Sequence, residues 1–207
     1  MPRTIQTRVF TLDELSDSAQ EAARNWFREG GFDYDWWDAV YDDFCRICDL
    51  IGITLKTRPV PLIGGGSWRD PCIWFRGFGS QSDGAAFEGF YRYARGCVAK
   101  ITAYAPKDQD LQDIVRRLAA IQRRNFYALE ATIEARGSSH MRIAVERKDA
   151  VLTVGAEDDV TEALRDLARW LYTSLEAEYA FLTSDEVVDE TILANGYTFT
   201  ETEERFG

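Results

Sequence analysis

Residues 127–136 carry an apolar side chain at every second position, with polar ones between them except at Ala128, and this pattern constrains the fold more than any other in the chain. The apolar set falls on every second position: Tyr127, Leu129, Ala131, Ile133 and Ala135. Successive side chains of a strand point to opposite faces, so a period of two predicts an antiparallel strand with one buried face. Turn residues follow at 137–140 and 148–149. We therefore predict a meander with further strands at 141–147 and 150–155.

Apolar side chains spaced by three and four residues predict helices in most of the remaining chain. Helices are expected from a Ser16 or Ser18 cap to Gly30-Gly31, and at 35–51, 94–104, 108–124, 159–181 and 183–195. Further strands are expected at 5–12, 53–59, 72–79, 85–93 and 197–200. Runs of antiparallel strands with helices between them predict an α+β fold, an antiparallel sheet with helices mainly on one face, in two layers. No stretch is typical of a linker, so we expect a single domain over residues 1–207.

The chain is acidic, with 35 carboxylate side chains against 24 lysines and arginines and a formal net charge of −11. A surface of this sign repels nucleic-acid phosphates and anionic lipids, so direct nucleic-acid binding is disfavoured. It suits a basic protein partner, although acidity that serves solubility alone is also common. No run approaches the roughly 18 apolar residues of a membrane helix, and no apolar segment follows Met1. We expect a cytoplasmic protein that does not enter the membrane.

The helix predicted at 35–51 is the most acidic of the chain. Asp35, Asp38 and Asp42 lie on its polar side, where they form a candidate binding face. Because the carboxylates are spread over several turns, a solvated helix face is favoured over a cation site. Cys45 and Cys48 of this helix have the C-x-x-C spacing, but a zinc knuckle places such a pair on a turn. We therefore predict no metal site and no cofactor.

The single histidine limits the catalytic chemistry that the chain could perform. His140 lies in a predicted hairpin turn next to Ser138 and Ser139. Ser–His or Cys–His catalysis would have to use it, and no supporting acid stands in a recognisable motif. An exposed turn histidine is the favoured interpretation, so we expect no catalytic residues.

The most unusual segment is rich in glycine and covers residues 77–89, GFGSQSDGAAFEG. A nucleotide fingerprint would need a helix after the glycines, but the following residues predict a strand. We expect a hairpin with its turn at Asp83-Gly84, in which small residues allow close approach of a ligand. The candidate binding residues are polar groups of the loop and aromatic side chains that could wall a pocket: Ser80, Gln81, Asp83, Gly84, Trp74, Phe78 and Phe87. A tight hairpin without a ligand remains the alternative.

Four segments of the chain resemble a family of phage and prophage proteins of unknown function. They are the loop at 77–89, the end at 182–200, and the shorter segments at 10–16 and 33–37. Ser82 stands where that family has glycine. Some members are labelled antitoxins of toxin–antitoxin systems. The resemblance thus implies a bacterial protein partner that the chain neutralises, and it implies no catalytic residues.

Three hypotheses of function follow. The first is a non-catalytic binding protein from a phage or mobile element that neutralises a toxin or antiviral effector through its acidic surface. The second is a protein that binds a small molecule or nucleotide signal at the loop of residues 80–84. Arg76, Arg92 or Arg95 would then supply the cations for phosphate. The third is a metal-dependent enzyme of unfamiliar type that uses Asp83 and Glu88.

Overall fold

The computed structural model describes residues 3, 6–30, 32, 34–148 and 152–200, together with the backbone of 205–206. The chain divides into two compact units, and each is described by itself. The larger unit comprises Ala39–Glu176, and the smaller comprises Met1–Asp38 and Ala177–Gly207. The expectation of a single domain stays a prediction.

The described elements, in chain order, mix helices with short strands. The helices are a 3-10 turn at Leu12–Glu14, α1 (Asp17–Gly30), α2 (Asp38–Ile51), α3 (Cys97–Tyr104), α4 (Gln109–Arg124), α5 (Ala156–Leu182) and α6 (Asp185–Ala194). The strands are β1 (Ile53–Leu55), β2 (Thr57–Pro61), β3 (Ser67–Pro71), β4 (Ile73–Arg76), β5 (Gly84–Phe87), β6 (Gly89–Arg92), β7 (Leu129–Ala135), β8 (Met141–Arg147), β9 (Thr198–Phe199) and β10 (Arg205–Phe206). The fold is α+β with antiparallel sheets, which confirms the predicted class.

A four-stranded antiparallel sheet in the order β1-β6-β7-β8 organises the larger unit. Tyr91 stands opposite Ala131, and Ile133 opposite Ile143. These side chains lie on the buried face, while Thr132 of β7 is exposed on the other. The alternation at 127–136 therefore predicted the strand correctly.

Buried leucines and other apolar side chains of α4 and α5 contribute to the core of the larger unit. Each fully buried leucine stabilises the fold by about 1.5–3 kcal/mol. Asp108 caps α4 as predicted, because its Oδ1 accepts a hydrogen bond from the Leu111 N–H at 2.9 Å. Its Oδ2 accepts a second one from Trp170 Nε1 of α5, at 2.8 Å. The cap therefore also connects the two helices.

The strands predicted at 53–59 and 85–93 are each divided in two. At Glu88 the backbone changes partner, because its N–H donates to the Cys72 carbonyl and its carbonyl accepts from Lys56 N–H, both at 2.9 Å. β5 thus pairs with β4, while β6 pairs with β1 and β7. Gly89 permits this crossing, since a Cβ there would lie 2.6 Å from the Thr54 carbonyl oxygen. β2 and β3 form a separate hairpin.

The smaller unit has its own apolar cluster. It is formed by Leu12, Ala23, Phe27, Val188, Ile192 and Phe199. Arg24 of α1 binds both carboxylate oxygens of Asp189 in α6 at 2.7 Å. Ser184, rather than the predicted Thr183, caps α6 by accepting from Val187 N–H. The predicted strand at 197–200 is confirmed as β9.

Several predicted boundaries differ from the structure. Residues 6–9 of the strand predicted at 5–12 form no strand, and Phe10 makes only an isolated bridge to Phe199. Residues 152–155 form no strand, and 150–151 lie outside the described residues, as do Gly31 and the acidic residues 201–204. α2 begins at Asp38 rather than Asp35, because Trp36 and Trp37 form a turn before it. Among the described helices, none is both long and apolar enough to cross a bilayer.

Candidate functional site

The glycine-rich loop joins β4 to β5 and is organised around the Asp83 carboxylate. Its Oδ2 accepts hydrogen bonds from the backbone N–H groups of Gly79 at 2.8 Å and Ser80 at 2.6 Å. Its Oδ1 accepts another from Ser80 Oγ at 2.8 Å. These bonds, with that from Gly79 first, lower the pKa of Asp83 below its ordinary value. The hairpin is confirmed, but its hydrogen-bonded turn runs from Ser80 to Asp83 rather than standing at Asp83-Gly84.

Gly77 is required by this arrangement. Its φ is +49°, and a Cβ there would lie 2.8 Å from Asp83 Oδ2. Its carbonyl accepts a hydrogen bond from the Tyr172 hydroxyl of α5 at 3.1 Å. The loop is therefore held by its own carboxylate and by one helix of the same unit.

A cleft of about 630 Å³ lies beside the loop. Its walls combine the loop, the β7–β8 turn and α5: Asp83, Gly84, Ala85, Ser139, His140, Met141, Arg165, Ala168, Arg169 and Tyr172. His140 is exposed, with Nδ1 3.0 Å from Ser139 Oγ. Arg169 pairs with Asp166. Two arginines, a histidine and a tyrosine suit a small anion.

The predicted binding residues are only partly brought together here. Asp83 and Gly84 line the cleft, while Ser80 and Gln81 are exposed in the loop. Phe78 is half-buried and stacks on Phe75, with ring centroids 5.7 Å apart.

The two other aromatic candidates lie elsewhere. Trp74 is a half-buried residue of β4 opposite Ala86. Phe87 is fully buried against Phe44, with ring centroids 5.2 Å apart. Phe87 therefore packs in the core and does not wall the cleft.

Sequence reasoning missed the cations of the cleft. It suggested Arg76, Arg92 or Arg95, whereas the structure brings Arg165 and Arg169 to the loop. Arg165 and Arg169 follow the glycine-rich loop by about 80 residues in the sequence. They are four residues apart, a spacing that is also common among arginines on a solvent-exposed helix face. No local pattern could have identified them.

The acidic residues of the predicted binding face belong to different units. Asp42 is exposed on α2 in the larger unit, while Asp35 and Asp38 are exposed in the smaller. Burial and then the charges of Asp42, Asp49 and Asp70 raise the pKa of Cys45. The described residues contain no group of three or more histidines, cysteines or carboxylates that could hold a metal ion.

The carboxylates of the enzyme hypothesis have separate partners. Asp83 accepts bonds from its own loop, and Glu88 pairs with Lys56 Nζ at 2.6 Å. Cys48 of the C-x-x-C pair is fully buried, which raises the pKa of its thiol well above the ordinary value. The raised pKa leaves the Cys48 thiol with little thiolate, the form that acts as a nucleophile.

The hairpin of β2 and β3 exposes large apolar side chains. Leu62 and Trp68 are more than half exposed and Ile63 is completely exposed, while Val60 stands opposite Trp68. Gly64, Gly65 and Gly66 all have positive φ and form the tip. An ion pair between Arg58 and Asp70, at 2.6 Å, holds the base. The signal in the sequence was an apolar pair, Leu62-Ile63, placed directly before three glycines.

The larger unit thus defines an α+β protein with an exposed apolar hairpin and a cleft that is lined by two arginines and a histidine. Residues 36–185 match the family described as Domain of unknown function (DUF8835), and the chain belongs to this family. No curated protein and no solved structure matches the chain.

Proposed function

We propose that the chain is a non-catalytic binding protein, encoded by a phage or mobile element, that neutralises a bacterial protein. The observation that carries this proposal is the apolar hairpin β2–β3 with carboxylates at its base. We define the hairpin surface as Val60, Leu62, Ile63 and Trp68. The resemblance of the chain to phage proteins labelled antitoxins supports a neutralising role.

The hairpin surface is suited to burial against another protein. Large apolar side chains that cluster on an exposed element are typical of protein–protein interfaces. Trp68 is 56 % exposed, and tryptophan is among the residues that most often dominate binding energy. Burying each of these side chains would contribute about 1.5–3 kcal/mol.

The charges beside the hairpin specify the kind of partner. Asp42 and Asp49 are exposed on α2, and Asp70 of β3 joins them in raising the pKa of Cys45. Together with the net charge of −11, they favour a partner with a basic rim around an apolar groove. Asp42 and Asp49 then steer association, and the hairpin provides the buried contact.

Two variants and a matched control test this function. The tagged chain is used to isolate a stoichiometric partner from bacterial lysate, and the purified pair is then measured by calorimetry. Ile63→Ser and Trp68→Ser are expected to weaken binding at least tenfold. Val154→Ser removes an equally exposed aliphatic side chain elsewhere in the unit and is expected to leave binding unchanged.

Two results would contradict the proposal. One is equal binding by the hairpin variants and by the control. The other is an absence of any stoichiometric partner at low and moderate salt, with the hairpin instead mediating self-association in sedimentation experiments.

The cleft beside the loop favours a second candidate function, the binding of a small anion. Arg165 and Arg169 face the same space as His140. A thermal-shift screen over small phosphate-containing anions that carry no base is expected to raise the Tm of the wild type but not of Arg165→Gln. A shift of equal size in both proteins would place the ligand elsewhere.

A further inference from the structure

We propose that a second cleft of the larger unit binds a mononucleotide, whose base stacks on Tyr127 and whose phosphate contacts Arg123. The cleft has a volume of about 840 Å³, within the range of small-molecule sites. Its walls come from the end of β6, from α4, from the residues between α4 and β7, and from α5. This site is independent of the hairpin surface.

The backbone at this site is strained. Phe126 and Tyr127 have φ of 57° and 61°, and they are the only described residues other than glycine with positive φ. Bulky side chains rarely adopt this left-handed conformation, and such strain persists only where the surrounding structure imposes it.

Buried amides impose this conformation. The Gln122 side chain donates to the Leu129 carbonyl at 2.8 Å and accepts from the Leu129 N–H at 3.2 Å. Asn125 donates to the Ile121 carbonyl at 3.0 Å and accepts from Thr153 Oγ1 at 2.7 Å. Both amides are almost completely buried. Buried side-chain hydrogen bonds therefore hold the turn between α4 and β7.

The result of this strain is an exposed pair of aromatic side chains. Phe126 is 78 % exposed and Tyr127 is 50 % exposed. The ring of Tyr127 lies against Tyr93, with centroids 4.5 Å apart and planes inclined by 36°. Phe126 lies under the Arg147 guanidinium, 5.5 Å from its ring centroid, and the pre-positioned Tyr127 ring is a stacking platform for a flat ligand.

The charges around the platform select an anion of modest size. Arg117 pairs with Asp166, and Arg124 pairs with Asp159 at 2.9 Å. Arg123 lines the same cleft and forms no ion pair with any described residue. Asp159 and Glu162 also line the cleft, and they would repel a long polyanion. A planar base can stack on the Tyr127 ring while a single phosphate group pairs with Arg123.

The test uses the full-length protein and a fluorescent AMP analogue, with AMP, ATP, adenosine and pyrophosphate as competitors. AMP is expected to compete much better than adenosine or pyrophosphate alone, because base and phosphate contribute together. It is also expected to compete better than ATP, whose longer phosphate chain Asp159 and Glu162 repel. Tyr127→Ala and Arg123→Gln are each expected to weaken binding about tenfold or more.

Two control variants locate the ligand. Arg116→Gln changes an exposed arginine of the same helix that does not line the cleft, and Arg165→Gln changes the other cleft. Both are expected to bind as the wild type does. Tyr127→Phe keeps the ring and is expected to retain binding, which separates stacking from any loss of folding in Tyr127→Ala.

Three results would overturn the proposal. They are no binding of nucleotide at millimolar concentration, binding by pyrophosphate as strong as by AMP, and loss of binding in Arg165→Gln but not in Arg123→Gln.

Discussion

Two residues of the chain adopt a conformation that their side chains disfavour. Phe126 and Tyr127 stand consecutively in the left-handed region. The steric cost of this region is about 1–2 kcal/mol for each residue with a Cβ. The buried side-chain hydrogen bonds of Gln122 and Asn125 help to offset this cost.

Phe126→Asn is expected to raise the free energy of unfolding by about 1 kcal/mol, because asparagine tolerates positive φ. The corresponding rise in Tm is about 2–4 °C. Phe126→Ala is the control, because it removes the same ring from Arg147 but keeps an unfavourable Cβ. Thermal unfolding monitored by circular dichroism measures both, and an equal Tm for the two variants would contradict the role of strain.

Asp83 makes the stability of its loop dependent on pH. Its pKa is lower in the folded protein than in the unfolded chain, mainly through hydrogen bonds from Gly79 and Ser80. Ionised Asp83 therefore stabilises the folded protein. This contribution is complete at pH values above the pKa of aspartate in the unfolded chain, about 4, and it is lost as the pH falls through the lower pKa of Asp83 in the folded protein.

We expect the stability difference between the wild type and Asp83→Asn to be constant near neutral pH and to shrink below about pH 4. Urea unfolding at a series of pH values measures it, with Glu190→Gln as an exposed control. A difference that grows in acid would contradict the assigned hydrogen bonds.

At the scale of elements, single glycines determine which strands can pair. The φ of Gly52 is +94°, and a Cβ there would lie 2.1 Å from the Arg92 carbonyl oxygen. This close approach allows the Gly52 carbonyl to accept from Arg92 N–H at 3.0 Å and so continues the pairing of β1 with β6.

Gly52→Ala is expected to lower the free energy of unfolding by about 2–4 kcal/mol, because both the backbone conformation and the space exclude a side chain. Gly79→Ala is the matched control, since a Cβ at Gly79 meets nothing within 4 Å. Chemical denaturation measures the free energy of unfolding of both variants. Equal losses would show that the close contact between Gly52 and Arg92 does not account for the effect of Gly52→Ala.

The hairpin β2–β3 is an element whose side chains contribute little to the core. Residues 57–69 are all exposed, and Thr57 pairs directly with Pro71. Replacing residues 58–70 with a two-residue Asn-Gly turn should therefore change the free energy of unfolding by less than about 1 kcal/mol.

The same replacement is expected to abolish binding of the protein partner. A loss of several kcal/mol in urea unfolding would instead make the hairpin a structural element.

At the scale of the whole molecule, burial controls the reactivity of the four thiols. Cys48, Cys72 and Cys97 are buried and Cys45 is half-buried. Burial is the largest cause that raises the pKa of each thiol. Less thiolate is then present at any given pH, so nucleophilic reaction is slowed.

We expect the native protein to react slowly with a disulfide reagent at pH 8, with Cys45 reacting first and the other three only on unfolding. Spectrophotometric titration of thiols with and without guanidinium measures this, and Cys45→Ser identifies the first group. Rapid reaction of Cys48 would indicate a redox role for the C-x-x-C pair.

Much of the secondary structure could be predicted because its causes are local. The period of two at 127–136, the cap at Asp108 and the glycine after α6 each depend on neighbouring residues. The division of the strand at Glu88 could not be predicted, because the residues on both sides of it favour extended backbone equally. The first strand was also predicted wrongly, since the backbone at 6–9 forms no strand although its side chains favour one.

The site was less predictable than the fold. The sequence identified the loop at 77–89 and the importance of Asp83, because glycine and aspartate have distinct backbone chemistry. It could not distinguish Phe87, which is buried, from an aromatic side chain on a surface.

The sequence by itself determined the α+β class, the helical and strand periods and the net charge, since these depend on composition and on neighbours. The tertiary structure alone decided which side chains meet. Arg165 and Gly84 line one cleft, Tyr127 packs on Tyr93, and Ile63 is left exposed. The reason is that folding brings residues together that are far apart in the sequence. A local sequence pattern does not specify which of these distant residues come into contact.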